Sequence, residues 1–293
     1  MSRVAKMALD LSYVEAVPVI SFQTTRIHLA IVGLGGTGGF LARAAAVMAA
    51  DLRARGKDVT LTFIDPDRVE EVNIPRQNFC AAEIGRFKAE TLASRCCALA
   101  VTQVGYICER FEPEMVADDK DTLTVIVGCV DGAAGRIAMG EALKRNHRYL
   151  GWNQLPRTWY LDLGNGLDFG QALFGSIDVV EHLPRAFSLS ILGGCGLLPS
   201  PLLQQPALRE PRPEELAPDS LSCAQLLAAN AQSLLINPIM ADIGAGYLYE
   251  FLITGSLRRF ATTVDLPSGT MRSRYTNRAM LAAAIGKKPG FFS

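Results

Sequence analysis

The sequence predicts an α/β protein in which a mostly parallel sheet is flanked by helices. Three observations support this. Residues 27–32 form an apolar run without alternation, as expected of a strand covered on both faces. A glycine cluster follows at once (Gly33, Gly35, Gly36, Gly38 and Gly39), and then an alanine-rich helical stretch to about Ala54. Two further apolar runs, 59–64 and 123–130, repeat the strand pattern and leave room for intervening helices.

Composition limits the possibilities. At 293 residues the chain can form one large domain, or one domain with a sizeable insertion. Hydrophobic content of 49% and a mean hydropathy of +0.19 are those of a globular protein. Twenty-nine basic residues balance 29 acidic ones, so nothing favours nucleic acid or an anionic membrane surface as partner. No apolar segment reaches the ~18 residues of a membrane span, and the first residues lack a signal-peptide pattern. A cytoplasmic protein is expected. Seven cysteines, an odd number, then argue for thiols rather than a disulfide framework.

Residues 1–26 read as a leader with a short helix at 4–13 and an edge strand at 17–22. The strand, glycine turn and helix that follow form a Rossmann-like unit, which directs free backbone N–H groups and the helix dipole at a phosphate. The second strand ends in Asp65, placed to hold a ribose. Up to this point a nicotinamide-dependent oxidoreductase would look the same. Beyond Asp65 the residues differ: Asp67, Asn73, Arg76 and Gln77 follow, then Lys88. An arginine and a lysine here suit a triphosphate, whose β- and γ-charges must be neutralised as pyrophosphate leaves. Asp131, after the run 123–130, lies where open α/β sheets bind ligands, and a carboxylate beside phosphates suits Mg²⁺.

Gly33-Leu-Gly-Gly-Thr-Gly38, Asp65-Pro-Asp67, Asn73-x-x-Arg76-Gln77, Lys88 and Asp131-x-x-x-x-Arg136 together resemble the adenylation signature of the ThiF/MoeB/HesA family, the activating enzymes of ubiquitin and of sulfur-carrier proteins. The match runs in order over roughly half the chain. Residues 159–171 also resemble a stretch of the PRTRC-system ThiF-like branch, whose partners are ubiquitin-like and conjugating-enzyme-like proteins. Similar compact enzymes serve bacterial ubiquitin-like defence pathways. The resemblance implies an adenylation-domain fold with a crossover loop and a C-terminal hairpin. It also implies ATP-dependent activation of the C-terminal carboxylate of a ubiquitin-like protein, transfer to a conjugating enzyme, and a homodimer. In this reading Gly33, Gly35, Gly36 and Gly38 cradle phosphate and Asp65 holds the ribose. Asp67, Asn73 and Gln77 complete the nucleotide site, Arg76 and Lys88 neutralise the phosphates, and Asp131 binds Mg²⁺. A family arginine supplied across the dimer has only Arg3 and Arg26 as candidates, and neither sits in a motif. Where family members often carry an asparagine after the aspartate, this chain has Gly132.

The remaining segments are read in order. Residues 89–100 form a helix, and Cys96 and Cys97 within it read as packed thiols rather than a redox or metal pair. A strand follows near 101–107, a helix at 131–146, a strand at 149–153, and a hairpin of 159–163 with 171–174 around Gly164-Asn-Gly166. The nucleotide-binding half thus spans 27–183. Seven of the fifteen prolines fall within 184–220, so 184–223 reads as the crossover loop over the adenylate and the partner's tail. Residues 224–293 complete the domain with a helix or helix pair at 224–253, broken near Asn237-Pro238, a hairpin of 258–265 with 270–275, and a loose end. Cys223, just before that helix, is the candidate thioester nucleophile, because a helix N-terminus stabilises a thiolate; Cys195 is the second candidate. The chain has no C-x-x-C, and His28, His147 and His182 lack ligand spacing, so no zinc is expected. A sulfur-carrier activator, a non-catalytic scaffold and a nicotinamide-dependent oxidoreductase are the alternatives.

Overall fold

The computed structural model describes residues 12–100, 103–116, 119–147, 150–151, 154–188, 193–211 and 234–292. Eight strands run through it: β1 Arg26–Val32, β2 Asp58–Ile64, β3 Gly105–Ile107, β4 Thr122–Gly128, β5 Thr158–Asn165, β6 Phe169–Gly175, β7 Arg259–Asp265 and β8 Thr270–Tyr275. They join in one sheet, ordered β3-β2-β1-β4-β5-β6-β7-β8. Pairing is parallel from β3 through β5 and antiparallel from β5 through β8.

The unalternating apolar strands have a direct physical basis. In β1, Ile27, Leu29 and Ile31 enter one core, and Ala30 and Val32 enter the other. From Leu29 to Val32 neither face meets water and every residue is apolar, whereas half-buried His28 shares a hydrogen bond with Thr62 at 3.1 Å. Helices α1 (Gly36–Ala54), α2 (Lys88–Ala100) and the later α5 (Ile236–Tyr249) contribute to the first core. Helix α3 (Ala133–Asn146) covers the second through Met139, Ala142 and Leu143. The alanine-rich side of α1 (Ala42, Ala45, Ala46 and Ala49 are buried) lets α1 sit close to α2, β2 and α5.

Several expected elements differ. The strand expected near 101–107 is only the three residues of β3, and 101–102 lie outside the described residues. Residues 17–22 form no strand; Val19 makes a single bridge to Cys195, and Ser12–Glu15 is a turn in place of the end of the expected helix. The strand expected at 149–153 is not seen at Leu150 and Gly151, and its other positions are not described. Strand β4 stops at Gly128, so Asp131 stands three residues beyond the sheet.

In the second half, residues 224–233 of the expected helix lie outside the described residues, Leu234 and Leu235 form a turn, and α5 starts at Ile236, beside the expected break near Asn237-Pro238. Pro238 lies within α5. It occupies the helix's first turn, where its missing N–H costs no helical bond, and α5 closes in a π-turn, Glu250–Thr254, ending at left-handed Gly255 (φ 62°). Of the expected crossover loop, 189–192 and 212–223 lie outside the described residues, and residues 193–211 do not line the crevice at the carboxyl ends of the parallel strands. Residues 193–211 hold the short helix α4 (Pro201–Gln204) and a 3₁₀ turn, Pro206–Arg209, both packed against α3. The buried Asp178 carboxylate fixes them there by accepting from Arg209 at 3.0 Å, with Lys144 of α3 at 3.5 Å. The last residues are not loose: after α6 (Arg278–Ala284), Phe292 is buried and its ring meets that of Phe187 edge-on at 5.9 Å.

Candidate active site

Strand β1 leads through α1 to β2 on one side, while β4 leads through α3 to β5 on the other. The strand order therefore reverses between β1 and β4, where doubly wound sheets open a crevice at their carboxyl ends. A cleft of about 740 Å³ lies there. Gly33, Gly35, Gly36, Asp65, Asp67, Asn73, Arg76, Gln77, Lys88 and Asp131 all line it.

The glycine turn is shaped by close approach. Gly33 has φ 83°, a conformation that strains any L side chain, and a Cβ on Gly38 would stand 1.9 Å from the Gly33 carbonyl oxygen. Gly38 is thus a packing glycine behind the cleft rather than part of its lining. No side chain caps the start of α1 and no acidic residue occupies its first turn, so its N-terminal amides face the cleft with their dipole uncompensated.

Asp65 follows β2 and is almost fully buried. Its Oδ2 accepts from Leu34 N at 2.5 Å and its Oδ1 from Asp67 N at 2.8 Å. Burial raises its pKa above the ordinary carboxylate value, although these two amides and the charge of Lys88 oppose the shift. Lys88 opens α2 with a side chain only 7% exposed, and its Nζ bonds Asp67 Oδ2 at 3.0 Å. Asp67 therefore serves as the lysine's counter-ion. The Asn73 side-chain oxygen accepts from Glu70 N at 2.9 Å and closes the turn that carries Arg76. Half-buried Arg76 and Gln77 continue that turn, and the Gln77 amide lies beside Gly35.

Asp131 is exposed at the rim. Its backbone oxygen accepts from Arg136 Nη1 at 2.9 Å, while Arg136 Nε bonds buried Asp162 Oδ1 at 3.1 Å. Burial alone would lower the Arg136 pKa, but the Asp162 carboxylate and its neighbours raise it overall. Arg136 thus buttresses the Asp131 backbone without itself lining the cleft. Among the described residues no group of three or more His, Cys, Asp and Glu is placed to hold a metal. One rim carboxylate nonetheless fits Mg²⁺, which takes one or two carboxylates and completes its shell with phosphate oxygens and water.

Of the two candidate nucleophiles, Cys223 lies outside the described residues. Cys195 is fully buried, donates its thiol to Leu197 O at 3.1 Å, and has its pKa pushed up by burial to about 12. It does not line the cleft, and burial in this form makes it inert. Cys96 is likewise buried, and Cys97 is half-buried near Val104 O.

Sequence reasoning missed part of the cleft. Thr37, Asn165 and Asn237 line one wall, and Arg110, Phe111 and Glu112 line another from the loop after β3. In the sequence Asn165 is a turn residue and Asn237 a helix breaker, and only the fold brings them beside Thr37.

Residues 23–152 match the model of the ThiF family. No curated protein matches the sequence. Among solved structures, PaaA superposes with a TM-score of 0.53 at 16% identity, covering 86% of this chain and 64% of that one. MccB of E. coli with ATP gives 0.52 at 15%, covering 87% and 64%. The microcin C7 biosynthetic enzyme MccB in complex with N-formylated MccA gives 0.53 at 16%, covering 87% and 66%. At these identities the likeness is one of fold, and this chain spans less than two thirds of the length of those proteins.

Proposed function

From a chain whose residues 23–152 belong to the ThiF family, we infer an enzyme that uses ATP to adenylate the C-terminal carboxylate of a protein or peptide. The observation that carries this reading is the meeting of Arg76, Lys88 and Asp131 with the glycine turn and Asp65 around one cleft. A dinucleotide needs the turn and Asp65; two cations beyond them serve a longer chain of phosphates. Asp65 would accept from ribose hydroxyls, and the amides at the start of α1 would take phosphate oxygens. Lys88, held by Asp67, and Arg76 would balance the charge that grows on pyrophosphate. Mg²⁺ held by Asp131 would supply further positive charge on the phosphates.

The substrate carboxylate oxygen attacks the α-phosphorus in line. One O–P bond forms, the bond to pyrophosphate breaks, and no protein atom becomes covalently attached. The residues contribute placement and electrostatic stabilisation. A ubiquitin-like protein remains the proposed substrate by sequence resemblance. A shorter peptide is the second reading, favoured by the fold shared with MccB, which has been solved with MccA. A thioester on Cys223, formed as AMP leaves, is the proposed second step for the ubiquitin-like substrate. Conversion of labelled pyrophosphate into ATP, dependent on an added ubiquitin-like protein or peptide, is the expected result. ATP binding without exchange for any candidate would reduce the protein to a scaffold. A reductant-sensitive adduct that persists in Cys223→Ala would move the thioester elsewhere.

A further inference from the structure

Three neutral side chains on the cleft wall form a closed hydrogen-bonded triangle. Asn165 Nδ2, at the end of β5, donates to Thr37 Oγ1 and to Asn237 Oδ1, each at 2.8 Å. The Thr37 hydroxyl, in the first turn of α1, donates to the same Asn237 Oδ1 at 3.3 Å. Asn237, in the first turn of α5, then spans outward, its Nδ2 donating to the Arg76 carbonyl at 3.3 Å. All three residues are buried, at 4%, 6% and 1% exposure for Thr37, Asn165 and Asn237, yet all three line the cleft.

We propose that Thr37, Asn165 and Asn237 are positioning residues that hold the amide-bearing end of α1 and the Arg76 turn in register for triphosphate binding. This rests on the ATP-dependent reading above, and it assigns the C-terminal half a part in nucleotide binding. The arrangement joins the two pieces of the anion cradle through a third element far away in the chain: Asn237 lies 161 residues from Arg76 and 200 from Thr37. The fit is tight, because a Cβ on Gly36 would stand 2.4 Å from Asn237 Oδ1. The start of α1 therefore cannot shift toward α5, and the clasp prevents it from shifting away. Neutral groups suit the position, since a carboxylate there would repel the phosphates and an added cation would compete with Arg76.

Within the triangle Thr37 Oγ1 is both acceptor and donor, taking a bond from Asn165 Nδ2 and giving one to Asn237 Oδ1. Removing the Thr37 hydroxyl leaves Asn165 and Asn237 each short of a partner in a buried wall, and they must reorient. The variant that tests this is Thr37→Val, similar in shape but without the hydroxyl, with Thr37→Ser as the conservative rescue. Calorimetric titration with Mg·ATP and separately with adenosine gives the readout, alongside the thermal midpoint of each protein. Thr37→Val is expected to weaken ATP by about five- to tenfold, equivalent to one net hydrogen bond. Adenosine, which has no phosphates to position, should bind as in the parent protein, and Thr37→Ser should restore ATP affinity. Should Thr37→Val fail to fold, Asn165→Ala makes the same comparison. Unchanged ATP affinity, or equal weakening of ATP and adenosine, overturns the proposal and leaves the triangle as ordinary core structure. A parent protein that binds adenosine but gains nothing from the phosphates overturns the ATP-dependent reading as well.

Discussion

The nearly buried side chain of Lys88 ends against Asp67, whose Oδ2 lies 3.0 Å from Nζ. An unpaired buried charge would be costly, and the pairing leaves the remaining donors of the lysine available toward the cleft. Lys88→Ala is therefore expected to lower ATP–pyrophosphate exchange by about a hundredfold or more, the scale of removing one preorganised transition-state donor. Binding of the protein substrate, measured without nucleotide, should persist. Loss of both together would assign Lys88 a structural role. At this scale much of the site was legible, since Asp65, Asp67, Asn73, Arg76, Gln77 and Lys88 fall within one short stretch. Thr37, Asn165 and Asn237 were not, because their meaning is their contact and the chain separates them by 128 and 72 residues.

The elements show where local pattern suffices. Strands β1, β2 and β4, the hairpin β5–β6 and the hairpin β7–β8 follow from apolar runs and turn residues. Strand β3 and residues 193–211 do not, because partners distant in the chain decide their extent: β2 for the first, and Asp178 with α3 for the second. Helix α3 ends at His147, which is buried; burial first, and the nearby charges of His182, Arg157 and Arg185 after it, lower its pKa to about 4. In the unfolded chain His147 should protonate near 6.5, whereas in the fold it stays neutral until about 4. Stability from this group is thus complete above about 6.5 and lost as pH falls toward 4, at about 1.4 kcal/mol per pH unit. Urea unfolding across that window should show the decline, and His147→Gln should flatten it. An identical slope in both proteins would refute the assignment.

Over the whole molecule, a single sheet carries both the parallel strands that open the cleft and the antiparallel strands that lie beyond the ThiF-family match at 23–152. Trp159, Phe174, Tyr247 and Phe251 pack as an aromatic group beneath that second part, with ring centroids 4.9–6.1 Å apart. The chain's end closes the same core through Phe292 against Phe187. Phe292→Ala should cost roughly 3 kcal/mol of stability, the lower end for emptying a buried aromatic site. Its denaturant midpoint is the measurement, and a change under ~0.5 kcal/mol would mean that the C-terminal turn contributes little.

By itself the sequence determined the sheet, the glycine turn and the charged residues after β2, because each is a local pattern: unbroken apolar runs need two covered faces, and backbone near a phosphate needs glycine. Only the tertiary structure decided that residues 193–211, expected within a crossover loop, lie on α3, that Cys195 is sealed in the core, and that an asparagine from α5 joins the wall of the cleft. Those outcomes depend on burial and on hydrogen-bond partners many residues away. No window along the chain contains both members of such a pair.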